Sequence, residues 1–200
     1  DPLWSRGLGD VYKRQVLEID APALATAYQS RLNHEASLEE GNRVVPAEDM
    51  IELAGGRGTA YYPFTNRFAY SADRVALMGP ADLPSSTRVY AKCYVLPGGG
   101  KVSVVRGTRS VSVDLNPECG WQFIPIGTLA ESLDEHGRIV ISGLRNKTER
   151  AYVDEFYFVP EAHEAQFMAA ATAYREFTVH NMGCPADPHP DKPETQRVLH

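Results

Sequence analysis

The segment TRVYAKCYVL, Thr87–Leu96, constrains this chain more than any other. Its residues alternate without a break. Val89, Ala91, Cys93 and Val95 share one face of an extended strand, and Tyr90, Lys92 and Tyr94 share the other. A turn, Pro97-Gly98-Gly99-Gly100, follows at once. Val102 and Val104 alternate with small or polar partners, and after Arg106-Gly107-Thr108 the residues Val111, Val113 and Leu115 alternate with Ser110, Ser112 and Asp114. That is a half-buried strand joined to its predecessor as a hairpin.

The same punctuation runs from residue 43 to 159. Val44-Val45, Met50–Leu53, Phe68–Tyr70 and Arg74–Met78 read as short runs, with Gly55-Gly56-Arg57-Gly58 as a loop. Trp121–Ile126, the Ile139 and Ile141 run and Tyr152–Val159 read as later strands. Eight or nine short strands spaced by turns predict an all-β antiparallel sandwich or jelly roll. The crossover helices that a parallel sheet needs are missing from this stretch.

Helices flank it. Over residues 20–42 Asp20 caps a short helix, Pro22 fits its first turn, and Leu24, Tyr28, Arg31 and Leu32 fall on one side. Glu35, Glu39 and Glu40 are read as exposed. Within residues 160–182, Phe167, Ala171, Tyr174 and Phe177 or Thr178 form an apolar stripe. Residues 183–200 are read as a Pro-rich tail or a linker to a missing domain. Residues 3–15, LWSRGLGDVYKRQ, resemble adapter read-through at the ends of metagenomic reading frames, so residues 1–15 are set aside as non-native; a genuine extension is the alternative. Both ends are read as those of a fragment.

Composition excludes several classes. With 43% hydrophobic and 23% charged residues, the chain is neither disordered nor collagen-like. Its net charge of -6 leaves no basic footprint for nucleic acid. No apolar run approaches the roughly 18 residues that span a bilayer. The three cysteines, Cys93, Cys119 and Cys184, form no CxxC pair, which argues against zinc. Cys93 is expected to pack as a small apolar residue; a Cys93–Cys119 bridge requires the strands to bring the two within reach. His34-Glu35 and His163-Glu164 each lack the second histidine of a metalloprotease motif, and no GxSxG, Walker A or GxGxxG is present.

The order of anchors, Ala47-Glu48-Asp49, then TRVYAKCYVLPGGGKVSVV, a hairpin strand, Gly120-Trp121, GRIVISGL and YVDEFYFV, resembles the galactose-binding-like jelly rolls that serve as carbohydrate-binding modules of polysaccharide-active enzymes. It is also similar to golvesin C-terminal-like accessory domains. The resemblance implies a non-catalytic carbohydrate-binding accessory module of a larger protein, with a polysaccharide or glycan and a neighbouring catalytic domain as partners. An extracellular or periplasmic place follows from module type only. It also implies a structural calcium ion, Ca2+, shared by Glu48 and Asp154, which suits the oxygen-rich shell of that ion; both are otherwise exposed edge carboxylates. Trp121 matches the family's strand tryptophan and is read as core.

For a ligand, the segment YYPFTNRFAY carries the richest supply. Tyr61, Tyr62 and Tyr70 offer rings for stacking, and Asn66 and Arg67 offer polar contacts. Asn146 stands where related modules place a sugar-contacting asparagine. The plainer readings are core plus turn for the first group and a polar turn residue for Asn146. An alternative function is a structural or interaction sandwich that packs on a neighbouring domain through its helices, with no sugar ligand. An enzyme in its own right would need two inward carboxylates at a defined separation, which nothing in the sequence places.

Overall fold

The computed structural model describes residues 21–182 except 50, 51, 55, 56, 61–67, 72, 147 and 150. Two antiparallel sheets pack face to face as a β-sandwich, with helices against one outer side. Helix α1 (Ala21–Glu39) leads into β1 (Arg43–Pro46) and a 3-10 turn, Ala47–Asp49. Four short strands follow: β2 (Glu52–Ala54), β3 (Arg57–Ala60), β4 (Phe68–Ser71) and β5 (Arg74–Met78). The longer ones are β6 (Arg88–Val95), β7 (Gly100–Arg106), β8 (Arg109–Leu115) and β9 (Gly120–Thr128). After the single turn of α2 (Leu129–Ser132) come β10 (Arg138–Ser142), the small pair β11 (Arg145–Asn146) and β12 (Thr148–Glu149), and β13 (Ala151–Val159). A 3-10 turn, Glu161–His163, opens α3 (Glu164–Met182).

One sheet runs β3-β4-β13-β6-β9, with β1 also paired to β13; the other runs β2-β5-β10-β7-β8. Strand β13 is the axle. It pairs with β6 along one edge, and its other edge is divided between β1 and β4. Every residue of β13 is buried. The alternation expected in β6 is what divides the core in two. Val89, Ala91, Cys93 and Val95 face the second sheet, among Val102, Val104, Ile139 and Ile141. Tyr90 and Tyr94 face outward and lie with Trp121, Tyr157, Phe167, Ala171 and Tyr174 under the helices.

The α3 stripe behaves as its spacing predicts. Phe167, Ala171, Tyr174 and Thr178 are all buried. They cover the chain's own sheet, so this stripe is not left free for a neighbour. Helix α1 corrects its expected face. Tyr28 and Leu32 are exposed, and the inward line is buried Arg31, half-buried Glu35 and buried Leu38. The reason is electrostatic: Arg31 pairs with Glu35, and Glu35 reaches a buried lysine of the sheet. Arg57 and Gly58, expected in a loop, belong to β3, because pairing with Ser71 and Tyr70 supplies the hydrogen bonds that glycine's weak strand preference does not forbid. The turn α2 went unforeseen, although Thr128 and Glu131 spell a capping box that the structure forms in both directions.

Gly99 shows why a glycine-rich link joins β6 to β7. Its φ is +57°, and a Cβ there would lie 2.8 Å from the Leu115 carbonyl oxygen. Only glycine fits both conditions without strain.

Candidate functional site

The expected ligand residues fall in three places. Tyr61, Tyr62, Asn66 and Arg67 belong to the link between β3 and β4 and lie outside the described residues. Tyr70 is within β4, opposite Gly58 on one side and Val153 on the other, so its backbone sits in the body of the sheet. Asn146 ends β11 and pairs with Thr148 just ahead of β13. Strand β4 runs antiparallel to β13 from the Tyr70–Val153 pair. Phe68, the first residue of β4, therefore lies on the side of Tyr70 that faces the C-terminal half of β13, whereas Asn146 precedes the first residue of β13.

Glu48 and Asp154 are neighbours in the backbone. Strand β1 pairs Pro46 with Glu155, so the 3-10 turn carrying Glu48 continues past Asp154. The Glu48 side chain is outside the described residues. Asp154 is not an exposed edge carboxylate: it is 1% exposed. A register shift between Val153 and Glu155 marks a bulge in the β13–β6 pairing. The extra residue lets Asp154 and Glu155 both turn toward one side chain of β6.

That side chain is Lys92, also 1% exposed. Its Nζ stands 2.8 Å from Asp154 Oδ2, 3.1 Å from Glu155 Oε2 and 3.9 Å from Glu35 Oε1 of α1. It also lies 4.8 Å from the Trp121 ring centroid and 5.0 Å from that of Tyr174. The Tyr157 hydroxyl donates to Glu155 Oε2 at 2.7 Å. Burial on its own disfavours the ammonium, but the Asp154 carboxylate above all, with Tyr174 and Glu35, more than offsets it and raises the Lys92 pKa. Sheet, α1 and α3 thus meet at one buried cation. Sequence reasoning placed Lys92 on the tyrosine face but missed this cluster. Its signal was a lysine between two tyrosines of one strand, matched by adjacent acids in the last strand.

The described residues already give Asp154 a cation. The Lys92 ammonium already supplies the positive charge, and a divalent cation beside it would be repelled. Asp154 Oδ1 is the one oxygen of this carboxylate that takes no hydrogen bond from the described residues. No group of three or more His, Cys, Asp or Glu side chains able to hold a metal occurs among the described residues.

The other polar groups are also used structurally. Asp134 accepts from the backbone N–H of His136 and Arg138 and from the Arg138 guanidinium. Desolvation opposes its charge, but these bonds prevail and lower its pKa. Tyr90 donates to Glu164 at 2.7 Å, which, with Arg88, pins the start of α3 to β6. Cys93 is a free, buried thiol whose pKa is raised by burial and by Asp154. Cys119 is disulfide-bonded, so the Cys93–Cys119 bridge does not form: Cys93 faces the core between the sheets. Trp121, fully buried and edge-on to Tyr94 at 5.4 Å, is core and not a ligand platform. No described helix is long and apolar enough to cross a membrane.

No protein-family model matches the sequence. No curated protein matches it either. Among solved structures the chain is distantly similar to the Podospora anserina GH26-CBM35 β-(1,4)-mannanase, with 14% identity and a TM-score of 0.38 over 60% of this chain and 28% of that one. It is likewise distantly similar to a family two carbohydrate esterase from Cellvibrio japonicus, with 13% identity and a TM-score of 0.36 over 58% of this chain and 33% of that one. The chain therefore spans a third or less of the length of either structure.

Proposed function

We propose that this sandwich is a non-catalytic carbohydrate-binding accessory module of a larger polysaccharide-active protein. The observation that carries the reading is the β3–β4 hairpin. Its paired strands hold the ends of the YYPFTNR link together at the margin of the six-stranded sheet. That link joins two tyrosines to an asparagine and an arginine, the residue types that stack on and hydrogen-bond to sugars. Among the described acids, Asp154 and Glu155 are tied to Lys92, and Asp134 to Arg138. The disulfide at Cys119 favours an oxidising compartment, as for an exported module. A module of this kind acts by proximity, raising the effective concentration of a polymer near a catalytic domain.

The test is retention on insoluble and soluble polysaccharides by pull-down and affinity electrophoresis. Retention on at least one polymer is expected, with loss in Tyr62→Ala and unchanged circular dichroism. Failure to bind any polymer in a broad panel would leave the structural-domain alternative. That alternative has less support, because the α3 stripe already covers the chain's own sheet.

A further inference from the structure

Natural sheets blunt their edges with short strands, prolines, bulges or covering elements. Most of the described edges here follow that rule. Strands β2 and β3 have three and four residues. Strand β9 carries Pro125 and lies beside a register shift in its pairing with β6. Strand β8, the last of the five-stranded sheet, does not follow it. It has seven residues, pairs with β7 without a register shift and contains no proline, and its two charges, Arg109 and Asp114, stand toward its ends and leave Ser110–Val113 uncharged.

The free edge has a definite hydrogen-bonding phase. Gly107 and Thr108 alone connect the Arg106–Arg109 pair. Gly107 has φ +61°, as a two-residue hairpin turn requires. Such a turn closes on a hydrogen-bonded pair, and bonded and non-bonded pairs then alternate. Arg109, Val111, Val113 and Leu115 therefore bond to β7. Ser110, Ser112 and Asp114 aim their backbone N–H and C=O groups away from the sheet. Their side chains are exposed, while Val111 and Val113 are half-buried against the core.

We propose that β8 pairs antiparallel with β8 of a second copy of this chain, about a two-fold axis at Ser112. This register overlaps all seven residues of the strand. It sets Ser110 opposite the second copy's Asp114 and Ser112 opposite Ser112, so the outward-aimed backbone groups bond only to one another. It also sets Val111 opposite Val113, which keeps apolar side chains on the inner face of a continuous ten-stranded sheet. No like charges stand directly opposite each other. Displacing the pairing by one residue would place valine opposite serine and reverse the faces. The proposal is independent of any sugar ligand.

Sedimentation velocity over a wide concentration range tests it, with residue-resolved hydrogen exchange as the second readout. A reversible dimer is expected, with the amides of Ser110, Ser112 and Asp114 becoming protected as it forms. Ser112→Lys brings two like charges together at the axis and Ser112→Pro removes an outward N–H that the monomer does not use. Both should be monomeric with an unchanged fold, and Ser112→Thr should dimerise like the parent. A chain that stays monomeric throughout would overturn the proposal. So would a dimer that survives Ser112→Lys, or amides of Ser110, Ser112 and Asp114 already protected in the monomer, which would mean that another segment covers this edge.

Discussion

Replacing Lys92 by alanine should damage this protein more than any change of similar size on its surface. The side chain is 1% exposed, and it is held by Asp154, Glu155 and Glu35 at 2.8, 3.1 and 3.9 Å. Its removal leaves two cluster carboxylates, those of Asp154 and Glu155, buried without their cation. Breaking a buried pair from one side costs roughly 3–5 kcal/mol. Loss of the ammonium over Trp121 and Tyr174 adds about 1 kcal/mol. The total, about 4–6 kcal/mol, matches the lower end of an ordinary domain's whole stability, about 5–15 kcal/mol. Urea unfolding followed by far-ultraviolet circular dichroism is the assay. The combined variant Lys92→Met, Asp154→Asn, Glu155→Gln removes cation and charges together. It should recover most of the loss, since the side-chain amide oxygen introduced by Glu155→Gln would still accept from Tyr157. A Lys92→Ala protein within about 1 kcal/mol of the parent would refute the reasoning, because a buried uncompensated carboxylate is never that cheap. The pH dependence has a definite sign. The folded pKa of Lys92 lies above its unfolded value, so its contribution is complete below the ordinary lysine range and disappears only as pH climbs through the raised value. Across neutral pH the difference between parent and Lys92→Ala should therefore not change on account of this lysine.

Four further outcomes follow from the same contacts. With Lys92 as the counter-ion of Asp154, the melting temperature should be the same in EDTA as in calcium; a fall on chelation would restore Glu48 and Asp154 as a calcium pair. Asp134→Asn should lower the melting temperature at neutral pH, and the deficit should shrink as pH falls through the depressed Asp134 value, because a lowered carboxylate pKa stabilises only above it; a deficit unchanged by acid would exclude that origin. Trp121→Ala should cost about 3–5 kcal/mol in urea unfolding, as deletion of a fully buried ring does; a loss below about 1 kcal/mol would mean that the outer layer is not a packed core. Cys93 should resist alkylation in the native protein and react in urea, as peptide mass spectrometry would show; native modification would mean that the sandwich opens.

What was legible in the sequence was whatever a period of two or of 3.6 controls. The faces of β6, the hairpin of β7 and β8, the burial of Trp121 and the stripe of α3 all follow from side chains that repeat at the spacing of their own element. The chain by itself thus determined the sandwich class, the helices at each end and which residues line the inter-sheet core. It did not determine that α1 turns Arg31 and Glu35 inward in place of Tyr28 and Leu32, that Cys93 and Cys119 stay apart, or that Asp154 answers to Lys92. Each of these depends on groups far apart in sequence: Lys92 and Glu155 are separated by 63 positions and meet only because β6 and β13 are neighbours in the sheet. Strand pairing order and a one-residue bulge decide which charges face each other, and neither has a local period. Periodicity reports how an element meets water, whereas the charge cluster reports how elements meet one another, and only the tertiary structure brings those partners within ångströms.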